Sequence, residues 1–266
     1  MLKRIVSMIV GIIILAIVML SNNTFVFSLA VTIVSMIGIY EFYTALKKKG
    51  FHPVEWVGYL ATALLLAIQY ISIDSLRLSL TMAVPILLLM TFLVSIIRKL
   101  KVNVSDIAIT IFGIMYVTYL FAFLIFTREM NKGVYYIWFI LGGAWMTDIF
   151  AYLVGITIGK HKISEISPKK SIEGCIGGIV GCVLFFVGYT YYLNTLGFEL
   201  NYILMGIIGI VTSVISQIGD FAASSIKRYC EIKDFGNIMP GHGGILDRFD
   251  SIILIAPFIY MFFSIL

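Results

Sequence analysis

The sequence predicts an all-α polytopic membrane protein of about nine transmembrane helices, with a polar cavity opening to the cytoplasmic side. Three observations carry that expectation. Of the 266 residues, 61% are hydrophobic and only 12% charged, with a mean hydropathy of +1.04, whereas about a quarter of a soluble domain is charged. Apolar runs long enough to cross the hydrocarbon, which takes about 20 helical residues, recur along the chain. When those runs are threaded through a membrane, the basic residues fall almost entirely on one side.

The runs are Ile5–Leu20, Phe25–Leu46, Val54–Ile73, Leu78–Ile97, Ser105–Thr127, Val134–Ile158, Ile172–Leu193, Tyr202–Ile226 and Ile245–Leu266. The first follows Lys3 and Arg4 as a signal peptide would, but continues into Leu20-Ser-Asn-Asn without a small-x-small cleavage site, so it reads as a span. An inward N-terminus places 16 of the 19 Lys and Arg residues in the cytoplasm and leaves Arg77, Arg128 and Lys132 outside. The C-terminus then faces outward. Outer connections are short, and the two long loops, Gly159–Ser171 and Lys227–Gly244, are cytoplasmic. The chain divides into residues 1–133, five spans with a structural role, and 134–266, four spans and both long loops.

A net charge of +5 follows this topology and implies no nucleic-acid partner. Cys175, Cys182 and Cys230 have neither metal-site spacing nor an even count, and read as small hydrophobes. Gly155-x-x-x-Gly159 and Gly177-x-x-x-Gly181 permit close helix packing. Glu41, at the inner end of the second run, reads as an interfacial carboxylate paired with Lys47, Lys48 and Lys49.

The residues suited to chemistry gather in the last four runs. Asp148 lies well inside the membrane, where a carboxylate needs a polar cavity or a partner, and Tyr152 shares its helix face. The loop Ser167-Pro-Lys-Lys-Ser-Ile-Glu-Gly174 sets Ser167, Lys169, Lys170, Ser171 and Glu173 at a helix start, where free backbone N–H groups favour anions. Ser213, Ser216, Gln217, Asp220, Ser224, Lys227 and Arg228 recur at spacings of three and four, forming one polar stripe. Such a stripe in a bilayer is expected to line a water-filled cavity. Beyond it, Lys233-Asp-Phe-Gly-Asn-Ile-Met-Pro-Gly-His-Gly-Gly244 cannot be regular helix, and its glycines suggest a backbone concavity for anions. Asp247 and Asp250 follow, three apart around Arg248. Aspartates on two helices beside Lys and Arg suit Mg²⁺ with polyphosphate, the expected ligands being Asp220 and Asp247.

At these residues the chain resembles the phosphatidate cytidylyltransferases, or CDP-diglyceride synthetases. The family signature is matched by Ser224, Ile226, Lys227, Arg228, Lys233, Asp234, Gly236, Pro240, His242, Gly243, Gly244, Ile245, Asp247, Arg248, Phe249 and Asp250. Met239 stands where another apolar residue is usual, and Ser171 where the family more often has Thr. The likeness extends to the Asp148–Tyr152 segment and to Gln217-x-Gly-Asp220, covering roughly the C-terminal half.

The resemblance implies an active-site cavity, an Mg²⁺ cofactor, phosphatidic acid and CTP as substrates, and CDP-diacylglycerol and pyrophosphate as products, in an inner or plasma membrane. It assigns catalysis to Asp220, Lys227, Arg228, Asp247, Arg248 and Asp250. Substrate binding falls to Asp148, Ser167, Lys169, Lys170, Ser171, Glu173, Ser224, Lys233, Asp234, His242, Gly243 and Gly244. A homodimer is among the expectations. Two alternatives stay open: an ion-coupled transporter, which also uses intramembrane carboxylates and broken helices, and an enzyme acting on another lipid. Against the transporter, the N-terminal half shows no matching inverted repeat.

Overall fold

The computed structural model describes residues 2–21, 23–65, 86–97, 102–163, 170–238, 241 and 243–266, with side chains from residue 11 onward. Among the described residues the long regular elements are all helices, joined by turns and irregular connections, and an antiparallel bridge pairs Lys162 with Ser171. The helices are α1 (Leu2–Leu20), α2 (Thr24–Lys47), α3 (Glu55–Ala63), α4 (Ile86–Ile97), α5 (Val104–Glu129), α6 (Gly133–Ile158), α7 (Ile172–Thr195), α8 (Tyr202–Tyr229) and α9 (Leu246–Ile265). Among the described residues six are long and apolar enough to cross a membrane: α2, α5, α6, α7, α8 and α9. They match the second, fifth, sixth, seventh, eighth and ninth runs closely, and the protein is a multi-pass membrane protein. The first, third and fourth runs are seen as helices whose described apolar parts are shorter, and the middle of the third-to-fourth stretch, residues 66–85, lies outside the described residues.

The chain packs as two compact units. The first comprises Met1–Glu129 with Tyr229–Arg248, so the glycine-rich segment and the first turn of α9 pack with the N-terminal helices. At its centre Tyr43 of α2 donates to the Thr110 carbonyl of α5 at 2.8 Å. Gly58 and Gly113 flank that ring so closely that a Cβ on either would collide with it. Asn103 and Asp106 form a reciprocal capping box that starts α5, and Asp106 also accepts from the His52 amide at 2.6 Å. Within α5 the backbone loosens into a π-helical turn at Ile114–Tyr119.

The second unit comprises Met130–Arg228 with Phe249–Leu266. Here α6 and α7 lie in close contact because glycines remove the side chains between them. A Cβ on Gly174 would sit 2.8 Å from the Ala151 carbonyl and 3.3 Å from the Gly155 Cα, and one on Gly178 would sit 2.9 Å from the Thr147 carbonyl. The glycines noted in the sequence are therefore packing positions. On α8, Gly219 admits the α9 backbone at Asp250 and Ser251 in the same way. Phe139, Phe186 and Phe263 tie α6, α7 and α9 into one aromatic cluster, with centroids 4.9 and 5.3 Å from Phe139.

The α6–α7 contact gives a direct expectation. Overpacking a close interface costs about 1–3 kcal/mol. Gly178→Val should therefore lower the thermal midpoint of the detergent-solubilised protein by several degrees. An unchanged midpoint would contradict the packing described.

Candidate active site

The sequence singled out one polar stripe on α8, and the structure splits it into two parts with different work. In the deep part, Thr147 of α6 donates to Ser213 at 3.0 Å, and the Gln217 amide donates to the Cys175 carbonyl of α7 at 3.1 Å. Ser213 and Ser216 are fully buried. Ser213 and Gln217 are satisfied by neighbouring helices and the Ser216 hydroxyl is buried without a hydrogen-bond partner among the described residues, which corrects the expectation that the whole stripe faces water: small hydroxyls and an amide let α8 sit flush against α6 and α7.

The charges lie in the shallow part. Lys170, from the loop before α7, forms an ion pair with Asp220, each side chain less than a third exposed. The same ammonium lies 4.1 Å from the Phe221 ring centroid. Asp250 of α9 is buried and lies within electrostatic reach of Asp220, Lys227 and Asp148. Asp148 is exposed, and its charge is among those that bear on Asp250. Three carboxylates and two lysines thus gather in the second unit.

The loop bearing Lys170 is fastened at its base. Ser171 caps α7 by accepting from the Gly174 amide at 3.1 Å. Glu173 accepts from the Lys160 and His161 amides, and its other oxygen bonds to His161 Nδ1 at 2.6 Å. The carbonyl of Lys170 accepts from the Ile163 amide, and that of His161 from the Ile172 amide. Ser171 and Glu173 therefore hold the strap that presents Lys170.

In the first unit the glycine-rich segment folds around two carboxylates. Asp247 accepts on its Oδ2 from the Phe235 amide at 2.8 Å and the Gly244 amide at 3.0 Å. Glu41 accepts from the Ile245 amide at 3.1 Å and the Leu246 amide at 2.9 Å. Gly241 and Gly243 have φ of +82° and +84°, where a side chain would be strained. Asp234 lies against Gly243. Lys233 is exposed. Just before this segment, Lys49 pairs with Glu231 and holds that carboxyl below its ordinary range of about 4.5. A depressed carboxylate contributes stability above its unfolded pKa and loses it as pH falls.

Two sequence readings need correction here. The amides of Gly244, Ile245 and Leu246 already donate to carboxylates of the protein itself, so they do not form an open phosphate nest. Glu41 is not bound to the nearby lysines, since Lys47 pairs with Glu55 and Lys49 with Glu231. It is 98% buried, at 2% exposure, and a helix N-terminus supplies what a buried carboxylate needs.

A sequence model described as the cytidylyltransferase family matches residues 2–266. The chain belongs to the cytidylyltransferase family. It is 36% identical over 182 residues to the phosphatidate cytidylyltransferase of Bacillus subtilis, covering 68% of this chain and 66% of that protein. The like-named protein of Staphylococcus haemolyticus is 36% identical over 164 residues, 61% of each chain. That of Staphylococcus aureus is 37% identical over 176 residues, 64% of this chain and 65% of the relative. The similarity spans just under two thirds of each relative's length.

In this cytidylyltransferase-family chain the sequence-predicted residues fall into two groups. Asp148, Lys170, Asp220, Lys227 and Asp250 gather in the second unit, with Ser224 half-buried on α8 one turn beyond Asp220. Asp234, Gly243, Gly244 and Asp247 are assembled in the first. Arg228 lies in the last turn of α8 and Arg248 in the first turn of α9, both exposed. Ser167, Lys169 and His242 lie outside the described residues. Sequence reasoning missed the role of Glu41, whose only signal was a lone carboxylate in an apolar run. It also missed Thr147, which looks like an ordinary helix residue.

Because both amides converge on a single Asp247 oxygen, an asparagine carbonyl can replace it. Asp247→Asn should keep near-native hydrogen exchange at Phe235 and Gly244. Asp247→Ala leaves both amides unsatisfied, a loss of about 1–3 kcal/mol each when buried, and exchange there should accelerate markedly. Equal exchange in the two variants would contradict this account of the turn.

Proposed function

We propose that this protein transfers the cytidylyl group of CTP to phosphatidic acid, releasing pyrophosphate and leaving CDP-diacylglycerol in the membrane. The observation that carries this reading is the gathering of Asp148, Asp220 and Asp250 with Lys170 and Lys227 in one unit of a chain that belongs to the cytidylyltransferase family. The curated relatives bear the name of that activity.

In the proposed reaction a phosphate oxygen of phosphatidic acid attacks the α-phosphorus of CTP. The bond from that phosphorus to the bridging oxygen breaks, and pyrophosphate leaves with the electron pair. Phosphate monoesters lose their second proton near pH 6, so the nucleophile is largely formed at neutral pH and needs no general base. The barrier is the approach of two anions. Lys170 and Lys227, with Arg228, Lys233 and Arg248, supply fixed cations to hold and neutralise them, so rate comes from positioning and electrostatics.

Mg²⁺ belongs to this proposal. Among the described residues no three His, Cys, Asp or Glu side chains are grouped to hold a metal by themselves. Mg²⁺ is usually held by one or two carboxylates plus substrate phosphates. The donors present are hard oxygens, and the Lys170 ammonium on Asp220 marks that carboxylate as one that takes a cation. Asp220 and Asp247 are the proposed ligands, with Asp250 and Asp148 supporting them. A bound Mg²⁺ supplies neutralisation of polyphosphate charge. We place the N-terminus and the reacting groups on the cytoplasmic side and the C-terminus outside, from the distribution of Lys and Arg. A homodimer is part of the same proposal.

The test is incubation of purified protein with phosphatidic acid, radiolabelled CTP and Mg²⁺, followed by separation of the lipids. Wild type should yield labelled CDP-diacylglycerol. Asp220→Asn, Asp250→Asn and Asp247→Asn should each lose about 10²-fold or more in turnover, the scale seen when a group stabilising developing charge is removed. Absence of labelled lipid from wild type, or full turnover in the variants, would overturn the reading.

A further inference from the structure

We infer that Glu41 is a positioning residue for this reaction: its carboxylate, buried in α2, grips the head of α9 and fixes where Asp247 and Arg248 stand. The inference rests on the proposed cytidylyl transfer for its functional meaning. Its structural part stands on the contacts of the first unit alone.

A carboxylate buried in a membrane helix is costly and persists only where donors compensate it. Glu41 lies in α2, yet both its oxygens are spent on one remote segment. Oε1 accepts from the Ile245 amide and Oε2 from the Leu246 amide, more than 200 residues along the chain. The first amides of a helix have no partner within it, and the N-terminal end of its dipole favours negative charge. Glu41 thus acts as a cap supplied from another helix, where Ser, Thr, Asp or Asn would ordinarily do so from within the chain.

The surroundings are shaped to this carboxylate. A Cβ on Gly244 would lie 2.5 Å from its oxygens, and one on Gly236 would collide with it outright. Neither glycine has a φ in the left-handed region, so the need for glycine there is one of space. The backbone at 244–246 is held by two carboxylates, Asp247 through the Gly244 amide and Glu41 through the next two. Asp247 and Arg248 follow Leu246 directly. A shift of the helix head moves both, and a displacement of about 1 Å can cost on the order of a hundredfold in rate.

The experiment compares purified full-length wild type, Glu41→Gln and Gly236→Ala in the CDP-diacylglycerol assay, below the thermal midpoint of each. Hydrogen exchange at Ile245 and Leu246 is read on the same samples. In Glu41→Gln the amide NH₂ replaces one acceptor and faces a backbone N–H, breaking one of the two bonds. Gly236→Ala keeps the charge but displaces it, and guards against Glu41→Gln failing to fold. Both variants should show faster exchange at these amides and a drop of about tenfold or more in kcat per folded molecule, with the KM for phosphatidic acid unchanged. Wild-type kcat per folded molecule in both would overturn the positioning role. Native exchange at Ile245 and Leu246 in Glu41→Gln would overturn the grip itself. If wild type makes no CDP-diacylglycerol, it is the proposed function that fails, and the exchange measurement alone decides whether Glu41 holds the head of α9.

Discussion

A carboxylate placed inside a membrane must be met by donors or cations, and the polar architecture of this chain follows from how each one is met. Glu41 is met by backbone amides at the head of α9, and Asp220 by the Lys170 ammonium. Asp250, in electrostatic reach of Lys227, is also packed beside α8 where Gly219 leaves room for its backbone. Carboxylates that must be compensated act as anchors, and each anchors a different segment. One holds the glycine-rich turn, one the strap before α7, and one lies on α9 facing charges of α6 and α8.

The division of labour along α8 has the same origin. Deep in the membrane, hydroxyls and an amide can be satisfied by facing helices at small cost, so Ser213 and Gln217 serve packing. Closer to the surface, full charges can be balanced by lysines whose stems reach along apolar surface, and there Lys170 meets Asp220 and Lys227 bears on Asp250. The glycines of α6 and α7 make this arrangement narrow enough to work, because contacts such as Gly174 against Gly155 bring the Lys170 strap and the α8 stripe into one unit.

Much of this was legible in the sequence, for physical reasons. Long apolar runs and the sidedness of basic residues report the solvent a segment must face, and six of the nine expected spans appear nearly residue for residue. Periodicity along α8 put Asp220 and Lys227 on one face, since helical spacing of three and four aligns polar residues; that Asp148 of α6 and Asp250 of α9 come within electrostatic reach is a matter of helix packing. What the sequence could not convey was partner choice across long separations. Nothing local to Glu41 distinguishes a carboxylate bound to Lys47–Lys49 from one bound to amides 205 residues away. The glycine-rich turn is a related case: its composition announces an unusual backbone, but not that protein carboxylates take the amides of Phe235, Gly244, Ile245 and Leu246. Ser171 and Glu173 read as ligand groups at a helix start, and the sequence did not convey that they also cap α7 and hold the base of the loop before it.

The central claim is that the shallow part of the α8 stripe is where CTP binds, reached from the cytoplasm. It is tested most directly by a single cysteine at position 224 in a background lacking Cys175, Cys182 and Cys230, labelled with a membrane-impermeant thiol reagent. Labelling in inverted vesicles but not in intact cells, with protection by CTP and Mg²⁺, is the result this account predicts. Labelling from the outer face, or labelling from within that CTP leaves unchanged, would contradict it.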